Sequence, residues 1–149
     1  MKRFRTDWPG TEGKERNGNL AQTLKYIAYE TEGGITAVRF LVKDFCDTLE
    51  VRACGDEIIK VYEEAKPLDL IVDFEGLGVV PSSVFANLVL IYKGMHKRGA
   101  RLRVCSLGKD ALSAFYVLNL DRLMTIHANM VEAMAQARAS QAAEKGATS

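Results

Sequence analysis

Apolar residues along this chain follow two spacings. From Asp69 to Phe74 they run almost without a break, with Leu70, Ile71 and Val72 between acids, as in a strand covered on both faces. From Ser82 to Gly99 the spacing changes: Val84, Leu88, Ile91 and Met95 recur at a helical period. Arg101 to Leu107 then returns to a short apolar run. A strand, a helical crossover and a second strand place the two strands parallel, so the pattern predicts an α/β sheet whose strand ends face loops that begin helices.

The flanking segments extend this unit. Leu24 to Glu30 and Ile35 to Val42 are rich in β-branched and aromatic residues, and Glu32-Gly33-Gly34 between them supplies a turn, which predicts an N-terminal hairpin. Asp47 or Thr48 caps a helix running to about Lys66, with Val51, Cys54, Ile58, Tyr62 and Ala65 inward and Pro67 ending it. After the central unit, Lys109 to Leu120 reads as a short helix with Leu112, Phe115, Tyr116 and Leu120 on one side, and Leu123 to His127 as a final strand. Asn129 caps a C-terminal helix built on Met130, Ala133, Met134 and Ala137. The organisation expected is a tail over 1–20, one domain over 21–138 and a disordered polar tail over 139–149. Residues 1–19 hold Pro9, three glycines and many charges without a period, and cannot bury enough surface to offset ordering entropy. Trp8 is their one puzzling residue, either a docking anchor or loosely packed on the domain.

Composition narrows the function classes. The 149 residues are 48% hydrophobic and 26% charged, enough for one globular core. Twenty Lys and Arg against 19 Asp and Glu leave a net charge of +1, which gives no general drive toward nucleic acid or an anionic membrane. No run approaches the ~20 apolar residues of a membrane span. Cys46, Cys54 and Cys105 form neither a metal-ligand pair nor an even disulfide set, and the expectation is a reducing cytoplasm.

The candidate chemistry is sparse. Ser82 and Ser83 open the central helix, where a serine satisfies unpaired N–H groups as a cap and also leaves a hydroxyl that a kinase can reach. They do not form a nucleophile elbow, because Val80-Pro81-Ser82-Ser83-Val84 has neither flanking glycine. The two histidines are His96 and His127, and His96 lies roughly 20 Å down the same helix from Ser82, so it cannot act as its base. Asp73 and Glu75 end the central strand; without a histidine or third acid they read as polar punctuation rather than a metal or acid/base pair. Neither a Walker loop nor a dinucleotide fingerprint follows that strand. Lys93, His96, Lys97, Arg98, Arg101 and Arg103 concentrate positive charge at the end of the helix, where cations complement the dipole, and no aromatics interleave as a nucleic-acid surface would want. No catalytic residue, cofactor or metal site is expected.

The order of elements, together with Ile71-Val-Asp-Phe-Glu-Gly-Leu-Gly-Val-Val-Pro-Ser-Ser83, the helix ending Lys97-Arg98-Gly99-Ala100-Arg101-Leu102, Val104-Cys-Ser-Leu107 and Val117-Leu-Asn-Leu-Asp-Arg-Leu123, resembles the STAS domain of anti-sigma factor antagonists. The likeness spans about Thr23 to Ala135. It implies a single α/β domain, a mixed sheet with an N-terminal hairpin and about four helices packed mainly on one face. It also implies a bacterial, non-enzymatic, cytoplasmic binding protein of a partner-switching pathway that regulates transcription. In that family the first serine of the turn is phosphorylated by an anti-sigma kinase of the HATPase type, and the unphosphorylated form binds that kinase. Ser82 falls on this position, with Ser83 as the fallback phosphosite, and Pro81, Ser82, Ser83, Val84, Phe85 and Asn87 are the implied partner contacts. The implied partners are the kinase and a phosphatase, with no nucleic acid and no membrane, and the chain is expected to be a monomer or weak dimer.

Two residues depart from the family pattern. Pro81 stands where Asp is usual, and Val84 where Gly is usual. The Asp is part of what the kinase sees, and a β-branched residue crowds close backbone approach. A non-switching STAS scaffold, or a ligand-binding module of a signalling or lipid-transport complex, is therefore the rival reading.

Overall fold

The computed structural model describes the backbone of residues 22–148 and the side chains of residues 22–144. Strands β1 (Gln22–Thr23), β2 (Ile27–Glu32), β3 (Ile35–Phe40), β4 (Asp69–Asp73), β5 (Arg101–Cys105) and β6 (Thr125–His127) form one sheet in chain order. The first three pair antiparallel and the rest parallel. Gly33 and Gly34, at φ of +61° and +80°, make the β2–β3 turn that side-chain-bearing residues resist. Helices α1 (Thr48–Ala65), α2 (Ser82–Lys97) and α3 (Lys109–Val117), the last followed by a 3-10 turn at Leu120–Arg122, make the parallel crossovers, and α4 (Met130–Thr148) closes the chain. This is the mixed α/β sheet with an N-terminal hairpin that the sequence predicts.

Register divides the sheet into two unlike faces. Leu70 sits opposite Leu102 and Thr36, Val72 opposite Val104 and Val38, and their alternate neighbours point the other way. The first face buries Val38, Leu70, Val72 and Val104 under Val51 and Ile58 of α1, Leu88 and Ile91 of α2 and Phe115 of α3. Phe40, Phe74, Phe115 and Phe85 continue that core as a chain of ring contacts with centroids 5.2 to 6.4 Å apart. α4 covers the opposite face, where Met130, Ala133, Met134 and Ala137 meet Ile35, Ala37, Ile71 and Cys105. Thus three helices share one face and the fourth takes the other, which explains why β4 is buried on both sides.

α4 runs further than its apolar pattern. The expected tail begins at 139, yet the helix continues to Thr148 because polar contacts take over where apolar ones stop. Asp69, fully buried, accepts from Arg101 Nε (2.9 Å), Arg101 Nη2 (3.0 Å), Arg103 Nε (2.9 Å) and Gln141 Nε2 (2.9 Å). Arg103 also donates to Ser140 Oγ at 3.1 Å and meets His127 Nε2 at 3.1 Å, while Arg101 pairs with Glu144. Burial alone would raise the Asp69 carboxyl, but the bonds from Arg101, Gln141 and Arg103 outweigh it and hold it below the usual range.

Other boundaries differ modestly. α3 stops at Val117, so Tyr116 is exposed rather than inward, and Leu120 reaches the core from the 3-10 turn. The last strand is only Thr125–His127. The expected tail over 1–20, Trp8 included, lies outside the described residues.

Candidate partner-binding site

The segment that carries the serines is fixed at its start by a charge cluster in which Arg39 and Asp73 are buried and Glu75 is exposed. Asp73 ends β4 with no exposed surface and accepts from the Glu75 amide at 3.0 Å. Arg39 of β3 brings Nη2 to 2.6 Å from Glu75 Oε1 and Nε to 3.6 Å from Asp73 Oδ2. Both carboxylates are thereby engaged with one guanidinium, and no group of three metal-binding side chains occurs among the described residues. The chain then turns through Gly76 at φ +87° and leans on the loop after β3, where the Gly78 amide donates to the Lys43 carbonyl at 2.7 Å. A Cβ on Gly78 would stand 2.8 Å from Asp44 Oδ1, the end of an exposed side chain that can move aside.

Neither serine caps α2, contrary to expectation. Pro81 occupies the cap position at φ −65° and ψ 152°, and no side chain bonds to the first turn. Capping needs a side-chain oxygen at the residue before the helix; Ser82 and Ser83 are already the first two helical residues, so their hydroxyls lie beyond the N–H groups a cap would satisfy. α1 and α4 show the contrast: Asp47 Oδ1 accepts from the Glu50 amide, and Asn129 Oδ1 from the Glu132 amide, both at 2.9 Å. Ser82 is exposed and Ser83 half-buried.

The implied contact residues separate into two sets. Pro81, Ser82 and Ser83 reach the surface, whereas Val84 and Phe85, each 6% exposed, are turned into the core. Asn87 is half-buried between the helices, with Nδ2 3.5 Å from the Val51 carbonyl. Helical spacing explains the division, because a residue pair after two outward positions must face inward. Exposed apolar side chains that the motif did not single out occur nearby in the chain and on α1: Val79 is 76% exposed, Leu90 60% and Leu49, which lines a groove with Ser83, 71%. Ser82, Ala86 and Leu90 form one outward stripe of α2, and no acid lies in its first turn.

The remaining titratable groups have structural duties. Arg98 donates to the Pro67 carbonyl at 3.1 Å and lies 5.0 Å above the Tyr62 ring, and Arg101 and Arg103 serve Asp69, so half of the basic concentration is engaged by partners within the chain. His96 stacks on Tyr92. Burial and the neighbouring Arg103 push the His127 pKa down, against a weaker pull from Glu132. All three cysteines are free; burial drives Cys54 up to about 12 and raises Cys105 further, leaving both as inert thiols. No helix among the described residues is long and apolar enough to cross a membrane.

The fold has known counterparts. A comparison with curated proteins found no match. Among solved structures, an anti-sigma-factor antagonist (STAS) domain protein from Planctomyces limnophilus superposes with a TM-score of 0.66 at 20% identity, covering 76% of this chain and 98% of that one. An anti-sigma factor antagonist from Mycobacterium paratuberculosis gives 0.66 at 18%, covering 75% and 92%. The Bacillus cell fate determinant SpoIIAA in its phosphorylated form gives 0.59 at 17%, covering 74% and 98%. The STAS domain family model matches residues 26–133, and with that match the chain belongs to the STAS domain family.

Proposed function

We propose that this protein is an anti-sigma factor antagonist of a partner-switching pathway in the bacterial cytoplasm, controlled by phosphorylation of Ser82. The observation that carries the reading is the setting of Ser82: an exposed hydroxyl, not used as a cap, at the head of the outward stripe of α2 that continues through Ala86 to the exposed Leu90. Apolar surface rimmed by polar groups suits a protein partner, and the partner proposed is an anti-sigma kinase of the HATPase type. A phosphate adds about −1.5 to −2 charges at this point. At a helix start it is tolerated by the fold, so its effect falls on the partner, which would have to desolvate it. The phosphorylated and unphosphorylated forms of SpoIIAA, a protein alike in fold, agree with such a cycle. The contacts proposed for this chain are Pro81, Ser82, Ser83 and Asn87, with Val84 and Phe85 holding the turn from beneath.

Pro81 favours a second reading. It leaves the helix start without a carboxylate, and a kinase interface built around Asp would lack that group here. A constitutive STAS scaffold needs no such group. Binding of Ser82→Asp and Ser82→Ala to the copurifying kinase-like protein decides between them. The switch requires that Ser82→Asp fold normally and lose the partner while Ser82→Ala binds constitutively; equal binding by both selects the scaffold.

A further inference from the structure

Helices α1 and α2 run side by side in the same direction and in constant register. A Cβ on Gly55 would come within 2.3 Å of the Asn87 amide nitrogen and one on Gly94 within 2.9 Å of the Tyr62 hydroxyl, and both pairs stand 32 residues apart. The same offset sets Ser83 level with Val51, with Thr48 and Arg52 on the neighbouring turn of α1. Between the helix starts lies a groove of about 350 Å³ lined by Thr48, Leu49, Arg52, Ser83 and Ala86. Ser82, one residue earlier and about 100° around the helix, does not line it. Arg52 is exposed and has neither an ion pair nor a hydrogen bond among the described residues. Asp56 lies one turn further along α1, and the nearer acids are occupied: Asp47 accepts from the Glu50 amide, and Glu50 accepts from the Cys46 amide at 2.7 Å.

We infer that Ser83 is a second phospho-acceptor of this turn, and that Arg52 receives its phosphate across the groove between α1 and α2. The amides at the helix start are shared by both serines and do not distinguish them. The groove does, because only Ser83 opens into the space that Arg52 lines. The inference rests on the proposed partner kinase for one thing alone, the phosphoryl donor. In that step the Ser83 oxygen bonds to the γ-phosphorus of the kinase's nucleoside triphosphate, the bond to the bridging oxygen breaks, nucleoside diphosphate leaves and the hydroxyl proton is released. The product pairs a dianion with a guanidinium, a geometry suited to two parallel hydrogen bonds. A phosphate on Ser82 would stand in solvent and confront the partner; one on Ser83 would be neutralised within the chain and would fill the groove.

The test needs no partner. Phosphoserine is installed during translation at position 82 or 83 of the full chain, and the second ionisation of each is followed by phosphorus NMR. A phosphate facing Arg52 should titrate lower than phosphoserine at position 82, by on the order of one pKa unit. Arg52→Gln should abolish that difference and Arg52→Lys should keep part of it. Arg52 is exposed, so both variants fold, and their melting curves verify it. Equal titration at the two positions, or a shift at 83 that survives Arg52→Gln, overturns the inference while leaving the Ser82 switch intact; loss of the Ser82 switch in binding assays leaves this titration unaffected.

Discussion

Removing the Asp69 carboxylate tests whether the polar face of the sheet stabilises the fold as much as its geometry implies. Asp69→Ala deletes four hydrogen bonds at once, two from Arg101, one from Arg103 and one from Gln141. Arg101 loses little, since its side chain is 29% exposed and keeps Glu144. Arg103 decides the outcome: at 4% exposure it would retain Ser140 and His127, neither a counter-charge. Stranding one partner of a buried ion pair costs about 3–5 kcal/mol. For a domain of this size that corresponds to a fall in melting temperature of roughly 10–15 °C. Denaturant unfolding at pH 7 measures it directly, and Asp69→Ala/Arg103→Met should recover most of the loss because no unpaired charge remains. A single variant within about 1 kcal/mol of wild type would refute the reasoning, since the magnitude rests on Arg103 having no other way to be neutralised. The sign with pH follows from the same contacts. The folded pKa of Asp69 is held below its unfolded value, so its contribution is present above about pH 4 and is lost as pH falls through the folded value; the alanine variant lacks that acid limb.

Ending the chain after Ala139 removes Gln141 from Asp69, Ser140 from Arg103 and Glu144 from Arg101, and is expected to cost about 1–3 kcal/mol in denaturant unfolding; an unchanged midpoint would show the last turns of α4 to be ornamental. His127 gives a second pH dependence: its folded pKa is lowered, the unfolded chain takes up the proton more readily, and stability therefore declines as pH falls below about 6.5. Unfolding midpoints at pH 5 and pH 8 should differ more for wild type than for His127→Gln.

Those tests concern the region that was least legible in the sequence. Strands β4 and β5 and the stripe of α2 could be read directly, because Leu70 to Val72 and Val84 to Met95 obey simple periods and those periods decide burial. The C-terminal end of α4 could not, because its last contacts are polar and long-range: Gln141 meets Asp69 across 72 residues of chain. A signal was present, since alternation places Asp69, Ile71 and Asp73 on one face and Arg101, Arg103 and Cys105 beside them, with Asp69 in register with Arg101. At the helix start the residue type misled. Serine suits a cap, but Pro81 takes that position and shifts both serines one step into the helix. Adjacent positions in the motif also part on the surface: Phe85 is buried while Leu49, in another helix, lines a groove with Ser83.

The two faces of the sheet also separate the buried ionic network from the serines of the proposed switch. The ionic groups buried deepest, Asp69, Arg103, Arg39 and Asp73, all lie on the face that α4 covers or at its margin. The serines open a helix on the other face, whose core beneath them, Val84, Phe85 and Phe115, is wholly apolar and offers no charge for a phosphate to disturb. A new anion at Ser82 can therefore act on a docked partner without entering the network that holds α4. A switch built this way changes affinity at nearly constant fold stability, and this is why Ser82→Asp is expected to bind differently from wild type and melt with it.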